Sequence, residues 1–437
     1  MRNIFALFLF LSTLSMHAQE KWSLERAVQY ALENNLQVQS SAYNRALQEK
    51  STEIARAERL PGVSANLSNN LSFGQQRYIN LVQRNDNFNN SLNVGADMLL
   101  YNNGRLEKNY RRALLDLQAA SYDVETIKNN IALQIAQEYL SVLLSKEIVQ
   151  ISQSALTNAQ QTLQRAEITT RVGTTAQTVL AEAQAALARE EQNTVAAQIN
   201  VERGLFNLAQ LLQLDDYTSF DIEDAPSSLQ VEAPLYSAQD ILSTAYAQQP
   251  QIKAAQMRIE SAIAQTEVTK TALYPSVSAS AGVGTFYFNQ LNRGQDTGFF
   301  KQYSENFGQQ LGISANIPIF NKGITKLQIE QSKINESLAK NNMEQQKQEV
   351  RQNVQRAQFD AKSNYQAYQS AERMVKSAEL AEDFALKSYE AGRSTIYELN
   401  AARNNTVNAR GSLAQAKYNY LFSLKLLNFY AGVPITL

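Results

Sequence analysis

The sequence predicts a mixed α and β membrane protein. The expected object is a trimeric 12-stranded β-barrel, four strands from each chain, continued by a long α-helical coiled-coil barrel, with each chain an internal tandem duplication. Three observations predict it. Two long proline-free spans rich in Ala, Gln, Glu, Leu and Lys read as helix on propensity, and each is broken once by a short glycine turn. Four shorter segments alternate apolar with small polar residues, the period of a strand with two unlike faces. The whole pattern then occurs twice. Ser23 and Ser237, like Pro61 and Pro275, lie 214 residues apart (237 − 23, 275 − 61). Gly104 and Gly323, like Gly173 and Gly392, lie 219 apart (323 − 104, 392 − 173). The extra five residues therefore fall between the second pair of strands.

The totals remove several function classes. The chain has 437 residues, 40 Lys and Arg against 41 Asp and Glu, no Cys and one His. A net charge near zero leaves no nucleic-acid footprint. Without Cys there is no disulfide, thiolate nucleophile or lipid-modified N-terminal cysteine. His17 lies in the predicted signal peptide, so the mature chain lacks the commonest general base and the two commonest transition-metal ligands. No catalytic residue, metal site or cofactor is expected.

Residues 1–18 read as a signal peptide: Arg2, an apolar run from Ile4 to Leu14, then Ser15 to Ala18, with cleavage after Ala18. The apolar run is too short to span a bilayer. The first structural repeat is placed at 19–236. A helix starts at Ser23 as N-cap and runs to about Arg59, with a brief break at Asn34-Asn35, and Leu60-Pro61-Gly62 ends it. A strand over about 63–74 puts Val63, Ala65, Leu67 and Leu71 on one face, with Asn69 as the exception. A polar loop spans Gly74 to Asn90, and a second strand covers about 91–101.

From Gly104 a helix runs to about Thr170, on the order of 100 Å at about 1.5 Å per residue. Val142, Val149, Leu156 and Leu163 fall seven apart, downstream of Ile131, Ile135 and Tyr139, which predicts a coiled-coil seam. The tip lies at 171–175, with Thr174 and Gln177 as a capping box for a helix returning to about Leu214. Residues 215–236 are acidic, hold two prolines and read as a linker.

The second repeat, 237–437, restarts with a helix from Ser237 to Tyr274-Pro275 and strands at about 276–287 and 309–320, with a loop from Asn289 to Gly308. Its hairpin turns at 390–395, where Thr395 and Glu398 form a second capping box. Arg77, Arg84, Arg293 and Lys301 fall in the two strand-connecting loops, where polar residues are the default. Tyr101, Phe286, Tyr287, Phe288 and Phe320 cluster near strand ends, either as an interfacial girdle or as packing.

Four amphipathic strands cannot close a barrel, and lipid does not tolerate unpaired strand edges. Closed membrane barrels need at least eight strands. Strands pooled from a homotrimer meet that requirement, with twelve strands (3 × 4) closed against lipid.

With these elements in hand, the chain resembles the TolC family of outer-membrane efflux proteins over the whole of Gln19 to Leu437. The resemblance rests on the duplicated order of elements, the strand pairs after Leu60-Pro61 and Tyr274-Pro275, and the tips at Arg171-Val172-Gly173 and Tyr389 to Ser394. It implies a channel-tunnel in the outer membrane of a Gram-negative bacterium, its helical part in the periplasm. The implied partners are a periplasmic adaptor and an inner-membrane transporter. It implies adaptor-docking tips at Arg171, Gly173, Thr174, Gly392, Arg393 and Ser394, and a pore aperture gated by Tyr389 and Glu398. Tyr389 matches a tyrosine that latches the closed tip in the family, but here Val179 stands at the latch's acid position and Ser394 at its arginine position. Glu398 has two compatible readings, the N3 partner of Thr395 and an acid at the periplasmic mouth. A structural or adhesive coiled-coil surface protein would explain the heptads but not the duplicated strands. An enzyme acting on carbohydrate or peptidoglycan would need a convergent carboxylate pair that the sequence does not display.

Overall fold

The computed structural model describes residues 21–79, 81–224, 238–292 and 297–433. The predicted signal peptide with His17, the Ser237 helix start, Arg293 and most of the linker lie outside the described residues. In chain order the elements are α1 (Leu24–Asn34), α2 (Leu36–Ala57), β1 (Gly62–Ser72), β2 (Gln75–Tyr78), β3 (Leu81–Arg84), β4 (Asn87–Tyr101), α3 (Arg105–Arg171) and α4 (Gln177–Leu212). Then follow α5 (Ala238–Gln248), α6 (Pro250–Lys270), β5 (Ser276–Gln290), α7 (Phe299–Glu305), β6 (Gly308–Asn316), α8 (Ile324–Glu390) and α9 (Ile396–Tyr430). The second repeat's opening helix is broken at Gln249, ahead of Pro250, whose missing N–H suits it to the first turn of α6. Among the described residues no helix is long and apolar enough to cross a membrane.

The chain divides into two compact units. The first joins Met1–Ser40, Glu125–Gln249 and Gln348–Leu437. Ser23 caps α1 by accepting from the Arg26 amide at 3.2 Å. The core collects Leu24, Ala27 and Ala31 of α1, Ile131, Ile135, Tyr139 and Val142 of α3, and Leu208 and Leu212 of α4. Phe220 and Ile222 close it from the chain after α4. The buried Tyr139 hydroxyl donates to the Trp22 carbonyl at 3.0 Å, and Lys146 pairs with Asp221 at 2.7 Å.

The predicted seam holds over Ile131, Ile135, Tyr139 and Val142 and then shifts. Val149, Leu156 and Leu163 are only half-buried, while Ser152, Ala159 and Ala166, themselves seven apart, are buried. Small residues let neighbouring helices approach closely, and the larger side chains flank that contact.

The second unit joins Ser41–Val124 and Pro250–Lys347 and holds a four-stranded antiparallel sheet in the order β1-β4-β5-β6. Its register builds two unlike faces. Val63, Ala96, Ala281 and Leu311 lie in one row, and Ala65, Val94 and Val283 in another that ends at Gln309. On the opposite face Ser64, Gly95, Gly282 and Gln310 share a row, as do Asn66, Asn93, Gly284 and Gly308. The period-2 alternation of each strand thus merges into one apolar and one polar surface. Asn69, the exception on the apolar face, receives a hydrogen bond from Asn90 at 2.5 Å, and the Tyr303 hydroxyl donates to Asn90 in turn.

Strand bounds differ from the sequence expectation. β4 and β5 are longer at the loop end, and β6 stops at Asn316, before Pro318, which has no amide N–H for a ladder. The two expected polar loops are also structured. Residues 74–90 contain the β2-β3 hairpin, and the loop between β5 and β6 contains α7. Both strand-to-helix connections are alike. Asn103-Gly104 and Lys322-Gly323 are consecutive residues with positive φ, closed by bonds from Arg105 N–H to Asn102 C=O and from Ile324 N–H to Asn321 C=O, each 3.1 Å. That is the type I′ turn, and it recurs at the 219-residue shift.

Candidate functional site

The two hairpin tips belong to the first unit, and their backbones end in the same way. After α3, Gly173 has φ +80°, its N–H bonds Thr170 C=O at 3.1 Å, and Thr174 N–H bonds Thr169 C=O at 2.9 Å. After α8, Gly392 has φ +70°, its N–H bonds Tyr389 C=O at 3.0 Å, and Arg393 N–H bonds Ser388 C=O at 2.9 Å. Both are Schellman motifs with glycine at the left-handed position, satisfying carbonyls that the helix end leaves free.

The returns differ. At the second tip the expected capping box forms: Thr395 Oγ1 accepts from Glu398 N–H, and Glu398 Oε2 accepts from Thr395 N–H, each at 3.2 Å. At the first tip the expected Thr174–Gln177 box does not form. Ala176 is the N-cap without a side-chain bond, and Gln177 is the first helical residue. The Thr174 hydroxyl instead donates to the Thr169 carbonyl at 2.8 Å, and Thr175 Oγ1 lies 2.9 Å and 3.0 Å from the hydroxyls of Thr169 and Thr170. Helix-terminal carbonyls lay closer to hand than an amide three residues on, so the threonines tie the turn back to α3.

The tips meet around a small apolar cluster of Ala166, Ala183 and Ile396, with Leu163, Val179, Leu180 and Tyr389 partly buried against it. Val179 stands where the resemblance would place an acid, and its neighbourhood is hydrophobic. A polar tie lies beside the cluster: Arg165 of α3 pairs with Glu390 of α8 at 3.1 Å. Tyr389, Gly392 and Ser394 line a groove with Thr175, Thr178, Val179 and Glu182 of the first hairpin. The Ser394 hydroxyl oxygen is enclosed and has no hydrogen-bond partner among the described residues. Arg171, Gly173, Thr174 and Arg393 are exposed outside that groove. Glu398 is exposed, and its carboxylate turns back onto Thr395. Exposed Val172 and Tyr397 give the tips an apolar surface.

Sequence reasoning passed over Arg403. On α9 it lies in phase with the buried Ile396, Leu399 and Thr406, three and four residues apart, a spacing that does mark a seam. Its guanidinium donates to Thr162 Oγ1 at 2.5 Å and lies 3.8 Å from Glu382, linking α9 to α3 and α8. Burial pushes its pKa below the ordinary arginine range, with Glu382 opposing.

Paired amphipathic strands with open edges and long, capped helical hairpins define the wall of an outer-membrane duct. The chain belongs to the outer membrane efflux protein family, which matches residues 27–213 and 241–433, one stretch in each repeat. It is 22% identical over 409 residues to the outer membrane efflux protein BepC of Brucella suis biovar 1, covering 93% of this chain and 84% of that one. It is 25% identical over 319 residues to the pyoverdine export outer membrane protein OpmQ of Pseudomonas putida, 71% of this chain and 63% of that one. Its fold is that of the channel protein CusC, with a TM-score of 0.78, 20% identity and 96% of each chain covered. The protein is therefore an outer-membrane efflux duct, with its helical part in the periplasm.

Proposed function

We propose that three copies close one barrel, β6 of each chain pairing with β1 of the next, and that the resulting tunnel passively conducts cargo handed to its periplasmic end. The observation that carries this reading is the sheet itself. It has one predominantly apolar face and two strands, β1 and β6, that among the described residues have a neighbour on one side only. Unpaired edges in lipid cost several kcal/mol per group, so the edges of separate chains satisfy one another. The apolar face then meets lipid, and the Ser, Asn and Gly face lines the pore. The sheet's helical connections all leave from one end, the end of Gly62, Tyr101, Ser276 and Asn316, and its loops occupy the other. With the helices in the periplasm, the loop end is the outer mouth.

The tips supply the docking end. Arg171, Gly173, Thr174, Gly392, Arg393 and Ser394 form two short turns free of bulky side chains at their glycines, suited to close approach by a helical hairpin of a periplasmic adaptor, itself fed by an inner-membrane transporter. At the aperture, Tyr389 and Val179 against the apolar cluster, with Arg165–Glu390 beside them, take the place of a polar latch. The duct performs no catalysis and needs no cofactor; the pump supplies energy. Analytical ultracentrifugation of detergent-extracted protein checks the assembly. A trimer is expected, and a stable monomer with intact β signal would overturn the pooled barrel.

A further inference from the structure

Towards its loop end, the polar face of the sheet carries two side chains that do not match it. Phe286 shares a row with Ser68 and Ser91, and Phe288 shares one with Asn70 and Asn89. The face assignment is fixed by contact as well as register, because the Ser68 and Ser91 hydroxyls lie 2.7 Å apart. Both rings are exposed, Phe286 at 47% and Phe288 at 43%. The neighbouring Tyr287 points the other way. It is buried, 5.0 Å from the Phe299 ring of α7.

The backbone between them is held on both sides. β4 pairs it along one edge. On the other edge β6 has ended, its last pair being Gly284 with Gly308, and α7 takes over. The Gln302 side chain accepts from Phe288 N–H and donates to Phe288 C=O, each at 3.0 Å, standing in for a strand neighbour. Asn306 Nδ2 donates to Phe286 C=O at 2.8 Å. Thus α7 occupies the edge and the apolar face and leaves the polar face clear. An exposed ring costs little to bury, and a fixed backbone limits the entropy lost when cargo touches it.

We infer that Phe286 and Phe288 form an aromatic collar around the outer mouth of the pore, narrowing the exit and contacting apolar or aromatic portions of cargo. Each chain contributes one pair, and the rows beneath, Ser64 with Gly95 and Gly282 and Asn66 with Gly284, carry small side chains. Asn93 and Gln310 complete those rows, so Phe286 and Phe288 are the aromatic side chains on a face of Ser, Asn, Gly and Gln. The inference rests on the barrel reading above, with the polar face inward.

The chain contains no Cys, so an introduced thiol is the only one present. Single variants Ser64→Cys, Leu67→Cys, Phe286→Cys and Phe288→Cys, extracted as trimers and placed in planar bilayers, are treated with a charged, membrane-impermeant methanethiosulfonate. Ser64→Cys, Phe286→Cys and Phe288→Cys are expected to react and Leu67→Cys to stay silent. Modification at 286 or 288 should lower single-channel conductance, and the double variant Phe286→Ala/Phe288→Ala should raise it. A reactive Leu67→Cys with an unreactive Ser64→Cys would refute the inward polar face. A reactive Ser64→Cys with silent 286 and 288 thiols, or unchanged conductance in the double alanine trimer, would overturn the collar and leave the barrel reading intact. Should the double variant not assemble, the two cysteine positions decide alone.

Discussion

Gly392 has a φ of +70° and open space where a β-carbon would stand. Gly392→Ala therefore meets no clash, only left-handed backbone strain of about 1 kcal/mol. A small drop in melting temperature with a normal trimer is expected, checked by circular dichroism and native electrophoresis. Gly392→Arg adds bulk at the turn proposed to dock the adaptor, and should keep the trimer in the membrane while losing export; normal export by that variant would contradict a docking role. Three residues on, Thr395→Ala removes the cap and should cost about 1 kcal/mol. Glu398→Gln keeps an N3 acceptor and deletes only charge, so stability should hold. A fall in cation preference in single-channel recordings would assign Glu398 to the pore mouth as well, and unchanged selectivity would leave it a capping residue. Both glycine turns and this box were legible in the sequence because each depends on residues within one turn. The Thr174–Gln177 box misled because the threonine hydroxyl had a carbonyl acceptor in Thr169, a choice that spacing does not reveal.

Among elements, the two tip-ward helix ends are marked in the sequence by glycine. α3 ends at Arg171 and α8 at Glu390, each just before a glycine turn. The α3 seam did not follow its largest residues, because close helix contact selected Ser152, Ala159 and Ala166, and a search for Leu and Val overlooks a seam of small side chains. Arg403 sits in the corresponding seam of α9, in phase with Ile396, Leu399 and Thr406. Arg403→Met keeps volume and removes a partly buried charge, so stability within about 1 kcal/mol of the parent is expected. Arg403→Ala leaves the Thr162 and Glu382 groups without that partner and should lose about 1–3 kcal/mol, compared in the same melt. α7 was illegible for a different reason. Seven residues in a polar loop carry no periodic signal, and the helix is defined by its contacts to β5. Gln302→Ala strips both backbone bonds at Phe288 and should destabilise by about 1 kcal/mol per bond. Faster hydrogen exchange at the Phe288 amide, without change at Val283, would locate the effect.

At the scale of the whole molecule, the duplication was readable from spacing alone, since recurring shifts of 214 and 219 residues need no structural knowledge. The type I′ turns at Asn103-Gly104 and Lys322-Gly323 give the repeat a backbone counterpart. Closure was also argued from the sequence, by counting strands against what lipid permits. The orientation of individual aromatic residues was not. Phe286, Tyr287 and Phe288 are consecutive and chemically alike, and only register separates the two that face one way from the one that faces the other. The open edges of β1 and β6 carry a genetic consequence. When every finished ring draws its wall from three chains, defective and normal copies made in one cell enter the same rings. With equal expression and random mixing, roughly one ring in eight would contain normal chains only. A Gly392→Arg gene beside an intact one should therefore act as a dominant trait, and raising the intact gene's dosage should restore export in graded steps.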